Sequence, residues 1–200
     1  NNLNLKWVDV DRDTCNICLD DLKNKLSTKT KIIILVHWGG NPIDLKKIEE
    51  IKNYSEKKYG FRPIIIEDAA HSFGTTYKGK MLGAIKNDNI KIHSFQAIKH
   101  ITSIDGGCVI FPDKKLTKQA KLLRWYGIDR DDNTKDFRCE NNISEWGFKF
   151  HMNDICATVG IENLKHVNKL LKVNRKNAEY YSKNLKNNPN ITLLKVEKEN

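Results

Sequence analysis

The chain has 200 residues, 35 lysines and arginines against 25 aspartates and glutamates, and a formal net charge of +10. At 39% hydrophobic and 30% charged, it has a globular composition with enough apolar side chains for a core, sized for one domain or one and part of another. Nowhere is there an unbroken apolar run of about eighteen residues that could span a membrane. The opening segment Asn1 to Lys6 is neither a secretory signal nor a transit sequence, so a soluble intracellular, cytoplasmic protein is expected. The chain does not start with Met, which points to a processed product or a fragment.

The basic excess does not read as a nucleic-acid surface. Only six of the basic residues are arginine, and the lysines are spread along the chain. The one dense stretch, Lys165 to Lys186, falls on a predicted helix with apolar residues at helical spacing, which is the pattern of a solvated helix face. The five cysteines are Cys15, Cys18, Cys108, Cys139 and Cys156. An odd, scattered set favours free thiols, and the single CxxC of Cys15 and Cys18 has no second pair at zinc spacing, so no metal site is expected.

The elements begin with a short extended segment, Leu5 to Val10. Asp13 or Thr14 is placed to cap a helix reaching Leu26. Lys31 to His37 is an unalternating β-branched run, the pattern of a strand covered on both faces. Gly39-Gly40-Asn41-Pro42 breaks it, and Leu45, Ile48 and Ile51 mark a helix from Asp44 to about Lys58. Pro63 to Ile66 repeats the buried-strand pattern and ends in Glu67-Asp68, completing a βαβ unit. Residues 69–89 form a loop rich in glycine and small residues. Ile90 to Phe95 and Cys108 to Phe111 are further strands around a turn-like segment, and Lys114 to Tyr126 is helical. Residues 127–150 read as polar and irregular. A long helical stretch covers about Asn153 to Leu185 with a break near Val173-Asn174, and Ile191 to Val196 starts another strand. The class is α/β, a mostly parallel sheet flanked by helices.

In such sheets ligands sit beyond the carboxyl ends of the strands. His37, Asp68 and the Ser94 to Lys99 turn occupy such ends. Asp68 closes a very apolar strand, where a carboxylate favours a cationic partner. Lys99 lies between Ile98 and Ile101, and withdrawal from water favours the uncharged, nucleophilic amine. Taken singly, a strand-end Asp caps the next turn and a lysine in a lysine-rich chain is a surface residue. Together they match what pyridoxal phosphate requires: a lysine for the aldehyde and an acid for the pyridine nitrogen.

Four stretches in order, Glu67-Asp68-Ala69-Ala70-His71-Ser72-Phe73-Gly74, Tyr77-Lys78-Gly79-Lys80, Ser94-Phe95-Gln96-Ala97-Ile98-Lys99 and Asp105-Gly106-Gly107, carry a resemblance. They resemble the nucleotide-sugar aminotransferases of the DegT/DnrJ/StrS family. Val36 to Pro42 and Gly147 to Ile155 agree, so the likeness covers about Trp7 to Leu185. The resemblance implies the fold type I of pyridoxal-phosphate enzymes, with residues 1–165 as a large domain lacking its N-terminal part and 166–200 as the connection to a small C-terminal domain.

It also implies roles. Lys99 matches the Schiff-base lysine and proton carrier, and Asp68 the acid facing the pyridinium nitrogen. His71 stands where the family contacts the cofactor's phenolic oxygen, and Ser94 where it contacts the phosphate. Lys149 takes the place of an Asn that many relatives give to the phosphate of the neighbouring subunit. The implied reaction moves an amino group from an amino acid, glutamate by analogy, to a nucleotide-linked keto sugar of the 4-keto-6-deoxyhexose type, in a homodimer without nucleic acid or membrane partners. The rivals are a cofactor-dependent sugar dehydratase, whose nearest representatives carry His in place of Lys99, and a non-catalytic, degenerate domain.

Overall fold

A computed structural model of the chain describes residues 3–130, 143 and 145–196. Its centre is a four-stranded sheet in the order β1 (Ile32–Val36), β2 (Ile64–Asp68), β5 (Ile90–Ser94), β6 (Gly107–Ile110). The first three strands are parallel and β6 runs antiparallel to β5. A small antiparallel pair, β3 (Thr76–Tyr77) and β4 (Lys80–Met81), lies in the loop between β2 and β5. The helices are α1 (Leu19–Lys25), α2 (Leu45–Tyr59), α3 (Lys114–Leu123), α4 (Asp154–Leu164) and α5 (Val167–Leu185).

Helix α2 is set by its ends. The Asp44 carboxylate accepts from the Lys46 and Lys47 N–H groups, and Gly60 closes the helix at φ +76°, a left-handed conformation that glycine adopts without strain. The Tyr77 hydroxyl donates to Asp44 at 2.7 Å, which ties β3 to the start of α2. The buried stripe of α2, Ile48 and Ile51, packs on Leu22 and Leu26 of the α1 region, on Ile33 and Leu35 of β1 and on Ile65 of β2.

Only that face of the sheet is covered by described residues. On the other, Ile32, Ile34, Val36 and Ile64 are exposed, Ile34 at 60%. The expectation of a strand buried on both faces is therefore corrected: burial alternates along β1, and the apolar run conceals the alternation because both faces carry Ile or Val.

Three other expectations are corrected. The first helix starts at Leu19, because the Asp11 carboxylate takes the Asp13 and Thr14 N–H groups and Cys15 turns at φ +57°. The long C-terminal helix is interrupted at Lys165–His166, not at Val173-Asn174, where i→i+3 bonds from Lys165 to Glu162 and His166 to Asn163 tighten and end α4. Residues 191–196 form no strand. The segment is held by irregular bonds instead, the Lys195 N–H on the Asp13 carbonyl and the Asn41 amide on the Lys195 carbonyl.

Cys15, Cys18, Cys108 and Cys156 are free thiols, and Cys139 lies outside the described residues. No described helix is long and apolar enough to cross a membrane.

Leu35 is completely buried in the middle of this core. Leu35→Ala is expected to remove about 2–5 kcal/mol of stability, read as a lower urea midpoint at unchanged slope.

Candidate active site

The site is laid out by strand register. Leu35, Glu67 and Lys91 pair across β1, β2 and β5, and one residue further on Val36, Asp68 and Ile92 do the same. Side chains alternate along a strand, so the first row faces the covered side and the second the open side. Asp68 thus ends β2 on the open face. It is partly buried, and its Oδ1 accepts the Ala70 N–H at 3.0 Å, the local turn bond expected of a strand-end Asp. Among the described residues it forms no ion pair, so the cationic partner expected for it is not a side chain of these residues.

A pocket of about 160 Å³, whose lining does not include Asp68 itself, is formed by Gly39, Ala70, His71, Phe73, Ile98, Lys99 and His100. Lys99 reaches it from a turn after β5, closed by the Lys99 N–H on the Gln96 carbonyl at 2.9 Å and the Ser103 N–H on the Phe95 carbonyl at 2.8 Å. The lysine is partly buried, whereas Ile98 is 81% exposed and does not enclose it as its apolar character suggested. His71 comes from the loop after β2, its ring edge-on to Trp38 at 5.3 Å. Gly40 makes this approach possible: at φ +85° a Cβ there would stand 3.2 Å from the His71 carbonyl oxygen.

Lys99 and His71 therefore share one pocket, with Asp68 two residues before its Ala70 wall. Ser94 ends β5 on the same face of the sheet as Asp68, opposite Gly107, and its Oγ accepts the Gln96 N–H at 3.3 Å. Lys149 is not brought to the pocket. It pairs with Trp125 in an isolated bridge and is exposed, in a stretch where Trp146, Phe148 and Phe150 are exposed too.

His37 is corrected as a pocket candidate. It is fully buried on the covered face, with Nε2 3.1 Å from Glu67 Oε2 and Nδ1 accepting the Ile43 N–H at 3.1 Å. The pocket residues not singled out from sequence as site residues are Gly39, Ala70, Phe73 and His100. Gly39 could have been found from the Gly-Gly break after β1, and His100 from its place next to Lys99.

Burial pushes the Glu67 carboxyl up, but hydrogen bonds from His37 and Asn89 and the nearby Lys91 charge outweigh it and leave it below the ordinary glutamate value. His100 is held below the ordinary histidine value by burial, then by the charges of His71 and Lys99.

The arrangement defines a class: an α/β domain with an amine, an imidazole and a carboxylate gathered at the carboxyl ends of parallel strands. Residues 2–200 match the model of the DegT/DnrJ/EryC1/StrS aminotransferase family, and the chain belongs to that family. Its structure superposes on AtS13 from Actinomadura melliaura with a TM-score of 0.90 at 43% identity, covering 98% of this chain and 52% of AtS13. The sugar aminotransferase CalS13 from Micromonospora echinospora gives a TM-score of 0.90 at 36% identity, covering 98% of this chain and 52% of CalS13. The uncharacterized protein MJ1066 of Methanocaldococcus jannaschii is 35% identical over 185 residues, 90% of this chain and 46% of that protein. The chain thus spans about half the length of these relatives, and its fold is the fold type I of pyridoxal-phosphate enzymes, in part.

Because the Glu67 carboxyl titrates lower folded than unfolded, the unfolded chain binds more protons in the window between the two values, and stability falls as pH drops through it. Urea midpoints are expected to decline below pH 4.5 in the wild type and to decline less steeply in Glu67→Gln.

Proposed function

We propose that the whole protein is a pyridoxal-phosphate-dependent aminotransferase that moves an amino group from an amino acid, glutamate in the first instance, to a nucleotide-linked keto sugar of the 4-keto-6-deoxyhexose type. The observation that carries this reading is the meeting of Lys99 and His71 in one pocket at the strand ends, beside Asp68, within motifs of the family. Lys99 and Asp68 form no ion pair among the described residues, which fits a cofactor that needs both an amine and an acid. The pocket walls Phe73 and Ile98 are apolar, which fits an aromatic ring.

Bound there, pyridoxal phosphate supplies an aldehyde that captures amines and a ring that delocalises the electron pair left when a proton is removed. Lys99 would hold the aldehyde carbon and, once displaced by the donor amine, would move the proton between the donor's α-carbon and the cofactor's C4′. Asp68 would keep a proton on the pyridine nitrogen by its negative charge. His71 would lie against the phenolic oxygen, and Ser94 would donate its hydroxyl to the phosphate. Lys149 would reach the phosphate site of the neighbouring subunit in a homodimer, a role its exposure among Trp146, Phe148 and Phe150 supports. A cytoplasmic location belongs to the same reading. The lysine at position 99 favours transamination over the dehydratase alternative, whose nearest representatives carry histidine there.

Borohydride reduction of the cofactor-loaded full-length protein, followed by peptide mass mapping, is expected to leave the phosphopyridoxyl mass on Lys99 and nowhere on the Lys99→Ala variant. A label spread over surface lysines with none on Lys99 overturns the assignment. Turnover of the keto sugar is expected to require the amino donor. Sugar consumption at the same rate without it would identify the dehydratase.

A further inference from the structure

Under the open face, on the covered side of the sheet, lies a group of buried polar side chains that the proposed chemistry does not use. His37 and Glu67 are both at 0% exposure. The Ile43 N–H donates to His37 Nδ1, so that nitrogen bears no hydrogen and the ring proton sits on Nε2, from which it is donated to Glu67 Oε2. Glu67 Oε1 accepts the Asn89 side-chain amide at 2.6 Å. Asn89 in turn meets Lys52 of α2 at 3.3 Å, and Lys52 also pairs with Asp88.

The main chain of His37 carries the connection upward. Its N–H donates to the Asp68 carbonyl at 3.0 Å, and its carbonyl accepts the Ser72 hydroxyl at 3.1 Å. One residue therefore grips both ends of the segment 68–72, the segment that bears Asp68 and His71. Within it, the Ala69 N–H reaches Ile92 of β5 and the Ser72 N–H returns to the Ala69 carbonyl. On the far side of the strand end, the Thr75 hydroxyl donates to the Gly40 carbonyl at 3.0 Å. The imidazole is held on both nitrogens, so its backbone has little freedom to shift, and neither has the segment it holds.

We infer that the buried His37–Glu67 pair is the positioning unit of the site, setting where segment 68–72, and with it the Asp68 carboxylate and the His71 imidazole, stands at the pocket. The pair touches neither cofactor nor substrate and acts through Asp68 and His71. The inference rests on the roles given to those two residues above. Glu67→Gln breaks the pair in a defined way. An amide offers one oxygen and one NH₂ where the carboxylate offered two acceptors, so either the His37 Nε2–H or the Asn89 amide loses its partner. His37→Leu keeps the volume and removes both ring bonds. His37→Gln restores a donor toward Glu67.

Hydrogen exchange followed by mass spectrometry on the full-length protein separates positioning from bulk stability. In His37→Leu and Glu67→Gln, peptides covering 68–75 are expected to exchange about tenfold faster or more, with peptides in α2 unchanged. His37→Gln is expected to recover most of that protection. With the cofactor loaded, kcat is expected to fall by about 10- to 100-fold at unchanged sugar KM. Equal acceleration in 68–75 and in α2, or no recovery by His37→Gln, overturns the inference and leaves the pair a plain stabilising contact. Wild-type protein that never takes up pyridoxal phosphate overturns the cofactor reading instead, while the exchange pattern still decides for or against the positioning role.

Discussion

Adjacent residues of a strand point to opposite faces of its sheet, and the in-register pairing of β1 with β2 makes that rule the plan of the site. Glu67 and Asp68 are chain neighbours with the same functional group. One is sealed beneath the sheet with hydrogen bonds on both oxygens, and the other ends the strand on the open face, where among the described residues its carboxylate takes only the Ala70 N–H. A slip of one residue in the pairing would exchange them, burying the Asp68 carboxylate and opening the polar network to water. The register is protected by Leu35 and Ile65 on the covered face, which would have to surface in the same slip.

The covered face is not uniformly apolar. Around β1 and α2 it is a packed cluster of Leu and Ile, whereas toward β5 it becomes a row of Glu67, Lys91 and His93. Unpartnered, such groups would oppose folding, yet most are satisfied. Lys91 donates to the Ile85 carbonyl at 3.1 Å and to Asn87 at 2.7 Å, and Glu67 takes hydrogen bonds on both oxygens. The His93 Nδ1 and the Ser55 Oγ are buried without a partner among the described residues. A polar layer that is almost wholly paired tolerates few alternative packings, so it fixes geometry where an apolar layer would mainly add stability.

The sequence made α2 legible from both ends, because Asp44 and Gly60 act within a few residues of themselves. The strands were legible from runs of Ile and Val, and the parallel pairing of β1 with β2 from the βαβ pattern, whereas the places of β5 and β6 in the sheet were not. What depends on distant parts of the chain was not. Which face of β1 is covered cannot be read from Ile32-Ile33-Ile34-Leu35-Val36, since every position is apolar. The start of α1 was misread because residues 11–15 close a turn of their own, with the Asp13 and Thr14 N–H groups on Asp11, and the helix begins only at Leu19 with no side-chain cap. The site divides in the same way. Lys99, Asp68 and His71 stood out through motif order. The inward turn of His37 hangs on an N–H six residues away and a carboxylate thirty residues away.

The pocket also explains why the overall charge is a poor guide to partners while the local charge is a good one. Lysines scattered over a solvated surface are screened from one another within about 10 Å at ordinary ionic strength. Lys99, His71 and His100 line one small cavity, and there burial first, then the charges of His71 and Lys99, hold His100 below the ordinary histidine value. Charges placed in that cavity are screened far less than charges on the solvated surface. The three side chains reach the cavity from two segments, the loop after β2 and the turn after β5, so the neighbouring of those strands in the sheet is what brings them together. That local charge comes from the arrangement of a handful of side chains and is independent of the +10 carried by the chain as a whole.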